Sequence, residues 1–98
     1  MARPKYRAHP DGNQAEIIDG LLSCGYVVVD ASQWADVFDL LVYGWDNRRG
    51  FNRWQPVECK TATGRLTESQ EAFMDAYPGA IVVARYLADV LVAYGRMA

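Results

Sequence analysis

The segment from Tyr26 to Lys60 constrains the fold most, because it holds three strand-like runs joined by short polar connections. "YVVVD", residues 26 to 30, is β-branched, and "DVFDLLVYG", residues 36 to 44, is a longer apolar run of the same kind. Both predict strands. "WDNRRGFN", residues 45 to 52, combines Asp, Asn and Gly and predicts a hairpin loop leading into a third strand that ends near Lys60. Ahead of these strands, "DGNQAEIIDGLLSCG" places Ile17, Ile18, Leu21 and Leu22 on one helical face and stops at Gly25. After them, "TATGR" breaks the pattern and "LTESQEAFMDAYPG" opens a second helix, with Thr67 as N-cap and Gln70 completing a capping box. That helix stops at Pro78 and Gly79, "AIVVAR" predicts a fourth strand, and "LADVLVAYG" a short closing helix. The order αβββαβ, with a final helix, predicts an α/β fold whose central mixed sheet is flanked by helices.

A chain of 98 residues makes one domain and buries only about 60 to 65% of its unfolded surface, so a partner chain would add to a modest core. With 51% hydrophobic and 22% charged residues it has ordinary globular composition. No apolar run approaches the ~20 residues that span a bilayer, and "MARPKYRAHPDGN" has no apolar stretch behind its basic residues. A soluble, cytoplasmic protein with no membrane partner is expected. Arg3, Lys5 and Arg7 lie in the first ten residues without an acid, which predicts a flexible basic arm over residues 1–10 and a single domain over 11–98. Cys24, Cys59 and His9 are too few for an ordinary zinc site. Any metal would therefore be held by oxygen. A net charge of −2 and a pI near 5.2 do not suit a protein that coats nucleic acid. Arg48, Arg49, Arg53 and Arg65, in or beside two loops, are where phosphate contacts are expected.

The chemistry falls on the strands. Asp39 is the only charged residue in "VFDLLVY", and an ionised carboxylate in such surroundings needs a partner or a metal. Side chains alternate along strands, so Asp39 shares a face with Val37 and Leu41, and Glu58 in "VECK" shares one with Pro56 and Lys60. If the two strands pair as a hairpin, the faces coincide. Asp39, Glu58 and Lys60 then meet at one edge of the sheet, offering two carboxylates to a hard divalent cation with a lysine beside them. Separate structural explanations exist for each: a hydrogen-bonded buried Asp39, a charged strand end at Lys60, a capping role for Gln70, and a solvated Glu16 opposite the apolar helix face. One metal site explains Asp39, Glu58 and Lys60 together. Trp34, Trp45 and Trp54 flank the hairpin, where they could stack on unpaired bases, cover a dimer seam or pack half-buried.

An aspartate followed by Glu-x-Lys on the next strand, after a helix carrying Glu16, resembles the PD-(D/E)xK nuclease superfamily. More narrowly, "NQAEII", "FDLLV", "VECK" and "GRLTESQEAF", spread over residues 11 to 95, resemble the VRR-NUC family, small nuclease domains related to archaeal Holliday junction resolvases. Phe38 departs from that pattern, which has proline before the aspartate. The resemblance implies a restriction-endonuclease-like αβββαβ core and a metal-dependent DNA endonuclease, structure-selective for a Holliday junction, flap or other branched DNA. It implies that Asp39 and Glu58 bind Mg²⁺ or Mn²⁺ with the Cys59 backbone carbonyl, and that Glu16 is an outer ligand or positions water. Lys60 would orient the attacking water, and Gln70 would lie near the site. A homodimer would present two sites to a junction, and so compact a domain suits a phage gene acting in a host cytoplasm. The runner-up is a catalytically silent nuclease-fold module that binds DNA or another protein. A dimer module built on the tryptophans is a third reading and predicts no metal binding.

Overall fold

A computed structural model describes residues 13–98; the basic arm expected over residues 1–10 lies outside them. The elements are α1 (Gln14–Ser23), β1 (Val27–Asp30), β2 (Leu40–Asp46), β3 (Phe51–Cys59), α2 (Glu68–Ala76), β4 (Val82–Ala84) and α3 (Leu87–Ala93). They form a mixed α/β structure with one four-stranded sheet in the order β1-β2-β3-β4. The pairs β1–β2 and β2–β3 are antiparallel, while β4 runs parallel to β3. Parallel neighbours need a crossover between them, and α2 supplies it.

The central hairpin differs from its expected boundaries. β2 begins four residues later than residue 36, and pairing continues through Trp45↔Asn52 and Asp46↔Phe51, leaving a turn of residues 47 to 50. Asp46 is the cause. Its Oδ1 accepts the backbone N–H groups of Arg48 (2.7 Å) and Arg49 (3.0 Å), its carbonyl accepts Gly50 N–H (2.8 Å), and Gly50 adopts φ 78°. An aspartate that satisfies the turn's own N–H groups shortens the loop to a tight one.

The helical layer meets one face of the sheet. Leu40 and Val42 of β2 and Val57 and Cys59 of β3 pack with Ile17, Leu21, Val90 and Tyr94, each fully buried apolar side chain contributing about 1.5–3 kcal/mol. Leu22, expected on the buried helix face, is instead exposed, and the stripe is Gln14, Ile17, Ile18 and Leu21. Each residue turns the helix by about 100°, so Leu22 points away once Leu21 faces the sheet. Tyr94 ties this layer together: its hydroxyl lies 3.0 Å from the carbonyls of both Val42 and Arg53.

The opposite face is built from Val27 and Val29, from Leu41, Tyr43 and Trp45, and from Asn52, Trp54, Pro56 and Glu58, as strand alternation and register require. Val27, Val29, Trp45 and Trp54 remain exposed on it. Glu58 ends that row. Among the described residues, no helix is long and apolar enough to cross a membrane.

Candidate active site

The backbone fixes the two acids before their side chains do anything. Asp39 lies one residue before β2; its N–H donates to the Val57 carbonyl (2.9 Å) and its own carbonyl accepts Ala31 N–H (2.7 Å). Its carboxylate Oδ2 accepts the backbone N–H of Cys59 at 2.9 Å. That bond pins Asp39 to the end of β3, beside Glu58. Both acids are buried, at 7% and 4% exposure, and Lys60 Nζ lies 3.3 Å from Glu58 Oε2. Lys60 follows β3, yet its N–H donates to the Ala84 carbonyl at 3.0 Å. Its place is therefore held by a continuation of the β3–β4 pairing.

Gln70 reaches the same group from α2. Thr67 Oγ1 accepts Gln70 N–H (3.2 Å) and Gln70 Oε1 accepts Thr67 N–H (2.9 Å), completing the expected capping box. The side chain also lies close enough to the Glu58 carboxyl to favour its ionised form. Capping and contact with the site are therefore two uses of one side chain.

Burial pushes the Glu58 carboxyl from 4.5 up to about 7, and the neighbouring Asp39 charge adds to the rise; Gln70 and Lys60 oppose it without cancelling it. A buried ion pair is weak grounds for stability, since desolvation offsets its attraction. When both acids ionise, two negative charges sit together where water barely reaches. Such a place favours a cation.

Other expected residues stand elsewhere. Glu16 is exposed on α1, lining a surface cavity with Asn13, Ile17 and Arg85 that includes neither Asp39 nor Glu58. Among the described residues, no three His, Cys, Asp or Glu side chains gather in a way that could hold a metal, so Glu16 does not complete a trio with the pair. The helix presents Gln14, Ile17, Ile18 and Leu21 to the core, and Glu16 falls on the other side. Cys59 buries its side chain in the core and gives its N–H to Asp39.

Arg53 is a correction to the loop cations. It stands in β3 with its side chain turned inward: Nε donates to Asp46 Oδ2 (2.6 Å), Nη1 to Gln55 Oε1 (2.6 Å) and Nη2 to the Ala93 carbonyl (3.1 Å). Its guanidinium lies 4.6 Å from the Tyr94 ring centroid. Arg53 thereby holds the Asp46 carboxyl down near 2 and joins the hairpin to α3, leaving it no fork for phosphate. Arg48 likewise donates its guanidinium to the Val92 carbonyl. Arg49 stays 65% exposed, 3.8 Å from Asp46, and Arg65 is exposed in the loop before α2.

Three residues at this end of the sheet were not expected there. Asn13 donates to the carbonyls of Lys60 (2.6 Å) and Arg85 (2.8 Å), strapping α1 to the ends of β3 and β4. Arg85 donates to the carbonyls of Thr61 and Gly64, bracing the loop that follows Lys60. Gln14 is fully buried, and among the described residues neither polar atom of its amide has a partner. Its signal is legible: it lies three and four residues before Ile17 and Ile18, a polar side chain on the apolar stripe. Asn13 and Arg85 carry none, because their acceptors are backbone carbonyls distant in sequence. Comparison with protein-family models, curated proteins and solved structures found no match.

Proposed function

We propose that this chain is a metal-dependent DNA endonuclease with a restriction-endonuclease-like core, hydrolysing phosphodiester bonds in branched or flapped DNA. The observation that carries the reading is the convergence of Asp39, Glu58, Lys60 and Gln70 at one end of the β2–β3 pair. The donors suit Mg²⁺ or Mn²⁺: two carboxylates with a backbone carbonyl at Cys59 match hard cations, which bind through one or two carboxylates and retain waters. A bound ion supplies positive charge for the phosphate and lowers the pKa of a water nucleophile.

The chain's own residues do the positioning. Cys59 N–H aims the Asp39 carboxylate, and Gln70 favours the ionised form of Glu58. Lys60 holds its ammonium against Glu58, where it orients the attacking water or meets charge developing on the phosphate. Of the four arginines expected at the loops, Arg49 and Arg65, with exposed side chains, are the ones offered to the DNA backbone. A two-fold dimer of such domains would set two cutting centres against one junction.

Titration with Mn²⁺ at pH 8 tests the donor set. Binding heat in the wild type that disappears in folded Asp39→Asn and Glu58→Gln supports it, and wild-type protein without Mn²⁺ heat removes it. The position of Glu16 away from the pair favours one second reading, a nuclease-fold module that binds DNA without cutting.

A further inference from the structure

The open face of the sheet carries an aromatic row that the cutting centre does not use. Tyr43 and Trp54 are cross-strand partners with ring centroids 4.9 Å apart. Trp45 pairs with Asn52 on the same face one step further from the site, and Trp45 and Trp54 are 49% and 50% exposed. Beside them a cavity of about 380 Å³ opens at the sheet edge, lined by Tyr43, Trp45 and Asn52 and, from the helical side where Tyr26 packs in the core, by Tyr26 and Arg96, within the range of small-ligand pockets. Arg96 is exposed, with its guanidinium 5.5 Å from the Tyr26 ring centroid and Nη1 3.3 Å from the Tyr26 hydroxyl. No carboxylate among the described residues is paired with it.

The row has a direction. Trp54, Pro56 and Glu58 alternate onto one face of β3, so the indole at Trp54 stands about 13 Å from the Glu58 position at roughly 3.3 Å per residue. That span matches about four stacked nucleotides at roughly 3.4 Å each.

We propose that this face is a track for an unpaired DNA strand: bases stack on Trp45 and on the Tyr43–Trp54 pair, a phosphate sits at Arg96, and the strand leads to Glu58. The proposal rests on the nuclease reading and narrows its substrate to DNA with a single-stranded segment beside the cut. Charge decides the occupant. Exposed aromatics beside a guanidinium suit an anionic strand with flat bases, and the chain's net charge of −2 leaves the attraction local to Arg96 and Arg49.

The test is anisotropy of labelled (dT)₁₂ and of a blunt 12-bp duplex in EDTA, so that nothing is cut, with sedimentation of every variant. Wild type should bind (dT)₁₂ more tightly than duplex, Trp45→Ala and Trp54→Ala should each weaken (dT)₁₂ about tenfold, and Trp54→Phe should retain most of it. Arg96→Ala should flatten the salt dependence by about one phosphate contact. Unchanged (dT)₁₂ binding in both alanine variants overturns the track, as does a preference for duplex. A dimer that falls apart in those variants, with (dT)₁₂ binding intact, gives the face to a second copy instead. Tryptophan-dependent binding by a protein that never cuts leaves the track standing and sinks the nuclease, whereas flap cutting indifferent to both tryptophans does the reverse.

Discussion

Glu58 makes metal-free stability fall as the solution becomes more alkaline. Its carboxyl titrates near 4.5 when unfolded and near 7 when folded, so the folded state holds the proton more tightly. For an acid raised in this way, the stabilisation is complete below 4.5, declines between 4.5 and about 7, and is absent above. At roughly 1.4 kcal/mol per pH unit the loss between pH 4 and pH 8 is on the order of a few kcal/mol, a large share of the stability of a small domain. Urea unfolding in EDTA across that range, on wild type and Glu58→Gln, isolates the coupled Asp39–Glu58 pair because titrating groups away from it are common to both. The difference curve should carry the full slope, and Mn²⁺ at 100 times its Kd should return about 2.7 kcal/mol to the wild type at pH 8. Parallel curves for the two proteins would refute the argument that burial and Asp39 strain this carboxylate.

Three further outcomes follow from particular contacts. Gly44→Ala drives a Cβ into the buried Tyr26 ring, and the overpacking should cost about 1–3 kcal/mol in urea unfolding. Arg53→Ala leaves Asp46 buried without its guanidinium, so the melting temperature should drop by several degrees, and Arg53→Lys should rescue little because a lysine cannot reach Asp46, Gln55 and Ala93 at once. Thr67→Ala removes the cap of α2 and should cost about 0.5–2 kcal/mol; because Gln70 lies close to Glu58, it should also weaken Mn²⁺ binding measured by calorimetry, a change that loss of the cap alone would not produce.

Local chemistry was legible in the sequence where it acts at short range. The β-branched runs, the Thr67–Gln70 capping box and the glycine after α1 mark their elements directly. Alternation alone placed Glu58 and Lys60 on one side, and hairpin pairing brought Asp39 to them. Long-range partners were not legible. Arg53 looked like a loop cation until pairing extended β2 to Asp46 and turned its guanidinium toward Gln55 and Ala93. Asp46 itself looked like loop polarity, although it organises the turn by accepting two backbone N–H groups. Glu16 stands where helix periodicity puts it, away from the core, lining a cavity that includes neither Asp39 nor Glu58. Gln14 is legible as a polar side chain on the buried apolar stripe.

The most direct measurement of the central claim is cleavage of end-labelled linear, flapped and four-way-junction DNA in Mg²⁺ or Mn²⁺ by wild type, Asp39→Asn and Lys60→Ala at matched folding. Wild type should cut in the presence of metal, fastest where an unpaired strand adjoins a duplex, and both variants should lose that cutting. Well-folded wild-type protein that cuts none of the three substrates in either metal would contradict it.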